Sequence, residues 1–199
     1  MARPKEFDPD HVLDAAMDAF WGKGYAATSA QDLVDSTGLG RGSLYHAFSG
    51  KHHLFMEVLR RYEQRWTARQ QEVLDGEGGI RERIGRVLMS VVDEEVAEGA
   101  ASAGVEAGRR GCLAVNAAIE LAGRDPEVTA QVERNFTRME EILRSAIHRA
   151  QLDGEIARDK DPGALAQFTL NSMYGLRVLG KTADRKTLAG VVETVLQAL

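Results

Sequence analysis

The pair Asp-Pro occurs three times in this chain, at Asp8-Pro9, Asp125-Pro126 and Asp161-Pro162. An aspartate ahead of a helix offers its carboxylate to the unpaired amides of the first turn. A proline at the first helical position gives up an N–H that would have no use there. After each pair, apolar residues recur at three- and four-residue spacing. They are Val12, Leu13, Ala16, Met17 and Phe20 after the first pair, and Val128, Val132, Phe136, Met139, Leu143, Ile147 and Ala150 after the second. Leu165, Phe168, Leu170, Met173, Tyr174 and Leu176 follow the third. This is the period of an amphipathic helix rather than the alternation of a half-buried strand.

The segments between read the same way. Gly22 and Gly24 stop the first helix, and Thr28 and Ser29, with Gln31 and Asp32 three residues on, form a capping-box start. That helix is short because Gly38 ends it. A second short helix is expected over about 41–48, then a longer one from Gly50 and Lys51, with Leu54, Phe55, Val58, Leu59, Tyr62 and Trp66 on its apolar face. The glycines of 75–79 break the chain. Ile80, Ile84, Val87, Leu88, Val91 and Val92 mark a further helix that fades into a small-residue stretch, and another is expected from about Cys112 to Ala122. Gly154 should end the helix opened at Asp125, and Asp184 should cap a last one carrying Leu188, Val191, Val192, Val195 and Leu196. The expectation is an all-α chain of eight or nine helices. Three short helices lie in residues 1–50, a connecting helix spans 51–74, and the larger helical region spans 51–199.

With 44% apolar residues over 199 positions the chain can bury a real core, and 28% charged residues is ordinary for a folded domain. No apolar run approaches the roughly 18 residues of a membrane span. The start MARPKEFDPDH has no apolar stretch of the kind a secretory signal needs. A single cysteine, Cys112, excludes an internal disulfide framework and fits a reducing compartment, so a cytoplasmic protein is expected. The net charge of −5 speaks against broad non-specific nucleic-acid binding. Its distribution is uneven, however. Between Arg41 and Trp66, Arg41, Lys51, Arg60, Arg61 and Arg65 stand against only Glu57 and Glu63, a local balance of +3.

That basic excess adjoins STGLGRGSLYHAFSGK, residues 36–51. A dinucleotide loop would need a preceding strand and a sixth-position glycine, where Ser43 stands, and a P-loop would need lysine and Ser/Thr after its last glycine. Neither context is met. A helix-turn-helix accounts for more of the residues. Gly38 supplies the left-handed turn, Leu39 plugs the corner, and Val34 and Leu44 are expected to form the shared core. Gly40, Gly42 and Ser43 let the second helix approach a groove closely, and Arg41 is placed to read base edges. Tyr45 and Lys51, near the end of that helix, suit phosphates.

Residues 7–60, and above all FWGKGYAATSAQDLVDSTGLGRGSLYHAFSGKHHLF, resemble the DNA-binding domain of the TetR family of bacterial transcriptional regulators. Gly24, Thr28, Ser29, Ser36-Thr37-Gly38, Leu44, Tyr45, Phe48 and Lys51 follow the family pattern in order, with Ser36 where alanine is commoner. The resemblance implies a regulator, expected to be a repressor, and no enzyme. It places Thr28, Ser29, Tyr45 and Lys51 at phosphate-contacting positions, and Arg41, Gly42, Ser43 and His46 on the recognition helix. His52 and His53, adjacent in sequence, cannot share a helix face and make a poor metal pair; they are expected to be solvated or near phosphate. No cofactor and no metal are expected.

The resemblance further implies a helical effector-binding and dimerisation domain. A homodimer through the last two helices, about 162–180 and 185–198, would place two recognition helices about 34–36 Å apart on double-stranded operator DNA. An effector pocket for a small molecule is expected among Trp66, Met89, Cys112, Asn116, Ile119, Phe136, Met139, Phe168, Asn171 and Tyr174, an apolar set with a few polar handles. Cys112 opens a predicted helix just after Arg109 and Arg110, and both features favour a thiolate. A G-C-L-x-x-N segment also resembles family members that respond to electrophiles, so oxidant or electrophile sensing through a solvent-accessible Cys112 is the alternative to a bound effector. Cysteine is, however, among the residues most often buried, and a packed, inert Cys112 is the commoner outcome. A helical protein-interaction module without DNA binding is the more distant alternative.

Overall fold

The structure, a computed structural model, describes residues 7–101 and 110–199. Among the described residues it contains nine α-helices and no strand. They are α1 (Pro9–Lys23), α2 (Ala30–Thr37), α3 (Arg41–Phe48), α4 (Lys51–Asp75) and α5 (Ile80–Ala101), followed by α6 (Leu113–Leu121), α7 (Pro126–Leu152), α8 (Pro162–Leu179) and α9 (Arg185–Ala198). None is long and apolar enough to cross a membrane.

The helix starts are those the local chemistry demands. Asp8, Asp125, Asp161 and Asp184 each accept a first-turn amide, and Pro9, Pro126 and Pro162 sit just inside. Ser29 and Asp32 form the reciprocal capping box of α2. Gly24 and Gly38, both at positive φ, close α1 and α2 by returning their amides to Phe20 and Val34. Gly22 does not stop α1, which runs through it to Lys23. A single glycine in a helix costs only about 1 kcal/mol relative to alanine, which the surrounding packing absorbs.

The helices build two cores. One gathers Val12, Phe20, Leu33, Leu44, Phe55 and Leu59 from α1–α4, and it also takes Leu113, Ala117 and Val128 from α6 and the start of α7. The other gathers Leu74, Ile84, Leu88, Leu143, Leu176 and Val192 from the far end of α4, α5, α7, α8 and α9. Helices α4 and α7 belong to both, so each can carry a movement in one core into the other. Leu33, not Val34, is the fully buried residue of α2 opposite Leu44. One residue of helix is about 100° of rotation, so a one-residue error in register moves a side chain from the core to the flank.

Candidate functional site

The first candidate site is the outer face of α2–α4. Gly38, left-handed at φ 69°, turns the chain between α2 and α3, and Leu39 is half-buried against the N-terminal core. Arg41, Gly42, Ser43 and His46 of α3 are exposed, while Leu44 is fully buried and Tyr45 half-buried. A Cβ added at Gly40 or Gly42 would meet nothing within 4 Å, so the glycines leave open space on both sides of Arg41. The Arg41 guanidinium stands 5.8 Å from the Tyr45 ring, and Lys51 Nζ 4.5 Å from the Tyr25 ring. Lys51 opens α4, whose N-cap, Gly50, has no side chain to offer the first-turn amides. A cation beside such a helix start is suited to an anion such as phosphate.

The local charge excess is smaller on this face than a residue count implies. Arg60 pairs with Glu57, and Arg61 and Arg65 both grip Asp14 on α1. Hydrogen bonding from Arg61, opposed by burial and reinforced by Arg65, holds the Asp14 carboxyl below its ordinary value. Three of the five cations are thus paired with carboxylates, two of them tying α4 to α1, which leaves Arg41 and Lys51 for the outer face. Thr28 corrects the expectation of a phosphate contact. It is fully buried, and its hydroxyl donates to the Gly24 carbonyl at 2.6 Å. Ser29 is exposed, but its hydroxyl is engaged with Asp32 in the capping box.

Helix α6 clasps this unit from behind. Glu120 accepts the amides of Tyr25 and Ala26 at 2.9 and 2.6 Å, holding the α1–α2 turn. The Trp21 indole donates to the Gly111 carbonyl at 2.8 Å, beneath the Arg110 guanidinium, which also pairs with Asp18. His52 is not simply solvated or at phosphate. Its Nε2 meets Asp125 Oδ2 at 2.7 Å, joining the first turn of α4 to the cap of α7.

The second candidate site lies between α4 and α7. Residues 59, 63, 67, 70 and 74 form one helical stripe of α4 that reads Leu, Glu, Thr, Gln, Leu, and every one of them is buried. Asn135 interrupts the buried stripe of α7 in the same way, between Val132 and Met139. The two interruptions face each other. Thr67 Oγ1 donates to Asn135 Oδ1 at 3.3 Å, and Gln131 Nε2 donates to Glu63 Oε2 at 2.5 Å. Burial, only partly offset by Gln131 and Arg134, pushes the Glu63 carboxyl up to about 7. Glu63 Oε1, both amide atoms of Gln70, Trp66 Nε1 and the Tyr174 hydroxyl are buried without a hydrogen-bond partner. A cleft of about 350 Å³ opens onto Glu63, Thr67 and Asn135, with Arg60, Arg134 and Arg138 also lining it. These polar residues were not anticipated. The available signal was their occurrence at core-facing positions of otherwise apolar helix stripes.

The residues expected to line an effector pocket scatter. Phe136 and Tyr174 do meet, with ring centroids 4.6 Å apart, and Trp66, Met89 and Tyr174 pack on the C-terminal core. Trp66 also lines a separate, largely apolar groove with Met17, Trp21 and Tyr62. Met139 is fully enclosed core. Asn116 spends its amide on the Arg110 carbonyl at 2.8 Å, holding the start of α6. Ile119 is 75% exposed, and Phe168, 43% exposed, and Asn171 lie on the outside of α8. These three do not line an interior cavity of the single chain, because α6 and α8 turn those faces outward. Val178 and Leu179 join Phe168 on the exposed side of α8, whereas the apolar residues of α9 are mostly turned inward.

Cys112 is the N-cap of α6, as its position predicted, but it is 3% exposed. The Tyr62 hydroxyl donates to its sulfur at 3.5 Å. The solvent access that a thiolate sensor needs is absent in this conformation, since Tyr62 and the N-terminal core enclose the thiol. Arg110 turns away toward Asp18 and Trp21, and Arg109 lies outside the described residues. Among the described residues no group of His, Cys, Asp and Glu could hold a metal ion.

Comparison with known proteins gives two family matches. Residues 12–58 match the bacterial regulatory proteins of the tetR family, and residues 95–195 match the tetracyclin repressor-like C-terminal domain. The chain is 32% identical over 205 residues to the uncharacterized HTH-type transcriptional regulator YezE of Bacillus subtilis, with 100% of each chain covered. It is 30% identical to the HTH-type transcriptional repressor ComR of Escherichia coli, over 98% of this chain and 90% of that one. Among solved structures it resembles a cysteine mutant of the regulator CifR complexed with 26-bp double-stranded operator DNA. The TM-score is 0.82 and the identity 33%, over 98% of this chain and 99% of that one.

Proposed function

This chain belongs to the TetR family of bacterial regulatory proteins and is a DNA-binding transcriptional regulator, and from that premise we propose that it is a cytoplasmic, homodimeric repressor released from its operator by a small molecule bound in its C-terminal region. We assign it no catalytic activity. The division of labour follows the two expected regions, residues 1–50 for DNA and residues 51–199 for effector and partner, with α4 as the connection. On the DNA side, Arg41 reads a base edge, with Gly42, Ser43 and His46 beside it in the major groove. Tyr45 and Lys51 hold the backbone.

The observation that carries the reading is the exposed face of α3. Arg41 stands outward between two glycines that crowd nothing, with Lys51 at an uncapped helix start. The apolar outer face of α8, with Phe168, Val178 and Leu179, supports pairing with a second copy. Release follows if the effector favours a conformation in which the two recognition helices no longer match successive grooves. Only its differential affinity for the two conformations drives the shift. Helices α4 and α7, shared by both cores and joined by His52 and Asp125, are the route.

The test is binding to DNA upstream of the protein's own coding region as salt is varied. A bounded footprint and a steep fall of affinity with salt are expected for a regulator. The absence of a footprint at every salt concentration would favour an interaction module.

A further inference from the structure

The α4/α7 cleft is unusual in its order of charges. At its floor, Glu63 is 4% exposed, with one carboxylate oxygen held by Gln131 and the other, Oε1, buried and without a hydrogen-bond partner. Thr67 and Asn135, also buried, complete the floor. Toward solvent stand three guanidiniums. Arg60 is engaged by Glu57 and Arg134 by Gln131, while Arg138 makes no ion pair among the described residues. A buried acceptor left unmet is a standing cost of folding that a bound donor removes.

A ligand carrying only a cation would have to pass and then neighbour the three arginines. One carrying only an anion would be repelled by an ionised Glu63. A molecule with a cationic donor at one end and an anion at the other meets both demands. The cleft volume of about 350 Å³ falls at the small end of the range for ligand sites. We propose that this cleft is the effector site and that it takes a small aminocarboxylate, whose ammonium group Glu63 holds and whose carboxylate the mouth arginines hold, Arg138 first among them. The inference rests on the effector-released reading and specifies its ligand. The carboxyl of Glu63 is raised because burial outweighs the hydrogen bond from Gln131 and the charges of Arg134 and Arg60, as befits a group that gains a closer donor on binding.

The test is calorimetric titration of the full-length protein with β-alanine, γ-aminobutyrate and δ-aminovalerate, against butylamine and butyrate as one-ended controls. At least one aminocarboxylate should bind about tenfold or more tightly than either control. Glu63→Gln and Arg138→Ala should each weaken that binding by about tenfold or more. Arg138 lies at the surface, so Arg138→Ala decides the matter should Glu63→Gln fail to fold. Three results overturn the proposal: no binding by any of the three, equal binding by butyrate or butylamine, or undiminished binding in the folded variants. The same preparation is then given the upstream DNA. Loosening of that DNA by the bound aminocarboxylate supports the effector assignment, and binding without loosening overturns it. DNA bound while no aminocarboxylate binds defeats this inference and leaves the regulator reading standing, whereas failure to bind DNA defeats that reading itself.

Discussion

Helix α3, the proposed recognition helix, and the middle of α4 both depart from a plain apolar pattern, and they do so in opposite directions. In α3 the polar residues Arg41, Ser43 and His46 face solvent, and their hydrogen-bonding capacity is met by water until a partner arrives from outside. In α4 the polar residues Glu63, Thr67 and Gln70 face inward and are met only in part by Gln131 and Asn135 of α7. An exposed polar group costs folding nothing, whereas a buried one with an unmet atom costs about 1–3 kcal/mol. The exposed polar residues of α3 can therefore be altered with little effect on stability. The inner stripe is under tension between stability and whatever it binds.

The sharpest test of that contrast is Glu63→Gln. Burial pushes the Glu63 carboxyl up to about 7, from an ordinary value of 4.5. Between those values the folded protein keeps a proton that the unfolded chain has lost, so this group's contribution falls as pH rises from about 4.5 to about 7. The loss reaches order 3 kcal/mol once the folded carboxyl has ionised too, above about pH 7. Glu63→Gln has no such proton, so its stability relative to the parent should rise between about pH 4.5 and about pH 7 in chemical denaturation. A difference between the two proteins that does not change with pH would break the comparison on its inner side.

On the outer side, Arg41→Ala should lower the preference for operator over scrambled DNA by about fivefold to a hundred-and-fifty-fold, from a base contact of about 1–3 kcal/mol. Its melting temperature should match the parent's, because the side chain is exposed. An unchanged preference would remove Arg41 as a base reader. Ser29→Ala separates a cap from a DNA contact. As the N-cap of α2 it should lose about 1 kcal/mol in denaturation, and a variant of parental stability would refute the capping role. The smallest effect is expected from Lys51→Ala. Affinity should fall a few-fold, evenly over all DNA sequences, and the dependence of log affinity on log salt should flatten by about one. A sequence-dependent loss would instead make Lys51 a reader rather than a backbone contact.

The legibility of the two sites differs for the same physical reason. The local shape of the outer face is set within a few residues: Ser29 with Asp32, Gly38 at the turn, Leu44 under Arg41. The inner site joins Glu63 to Gln131 and Thr67 to Asn135, each across 68 residues of chain. A polar residue at a core-facing position could have been flagged from its spacing, but not the identity of the group it faces. Two further outcomes have the same origin. Cys112 stands at the helix start its sequence implied, yet the fold lays Tyr62 over it. Arg61 and Arg65 belong to the basic run, yet the fold gives them to Asp14.

By itself the sequence determined that this chain is helical, where most of the helices begin and end, and which short helix projects an arginine between glycines. Those outcomes depend on caps, turn residues and apolar spacing, whose energies are settled inside one element. Tertiary structure alone decided which cations are taken up by carboxylates, which thiol is enclosed, and how the polar residues of α4 and α7 come to share a cleft. Those outcomes depend on the rotation of one helix against another, where a single residue of register, about 100°, decides whether a charge faces water or the core.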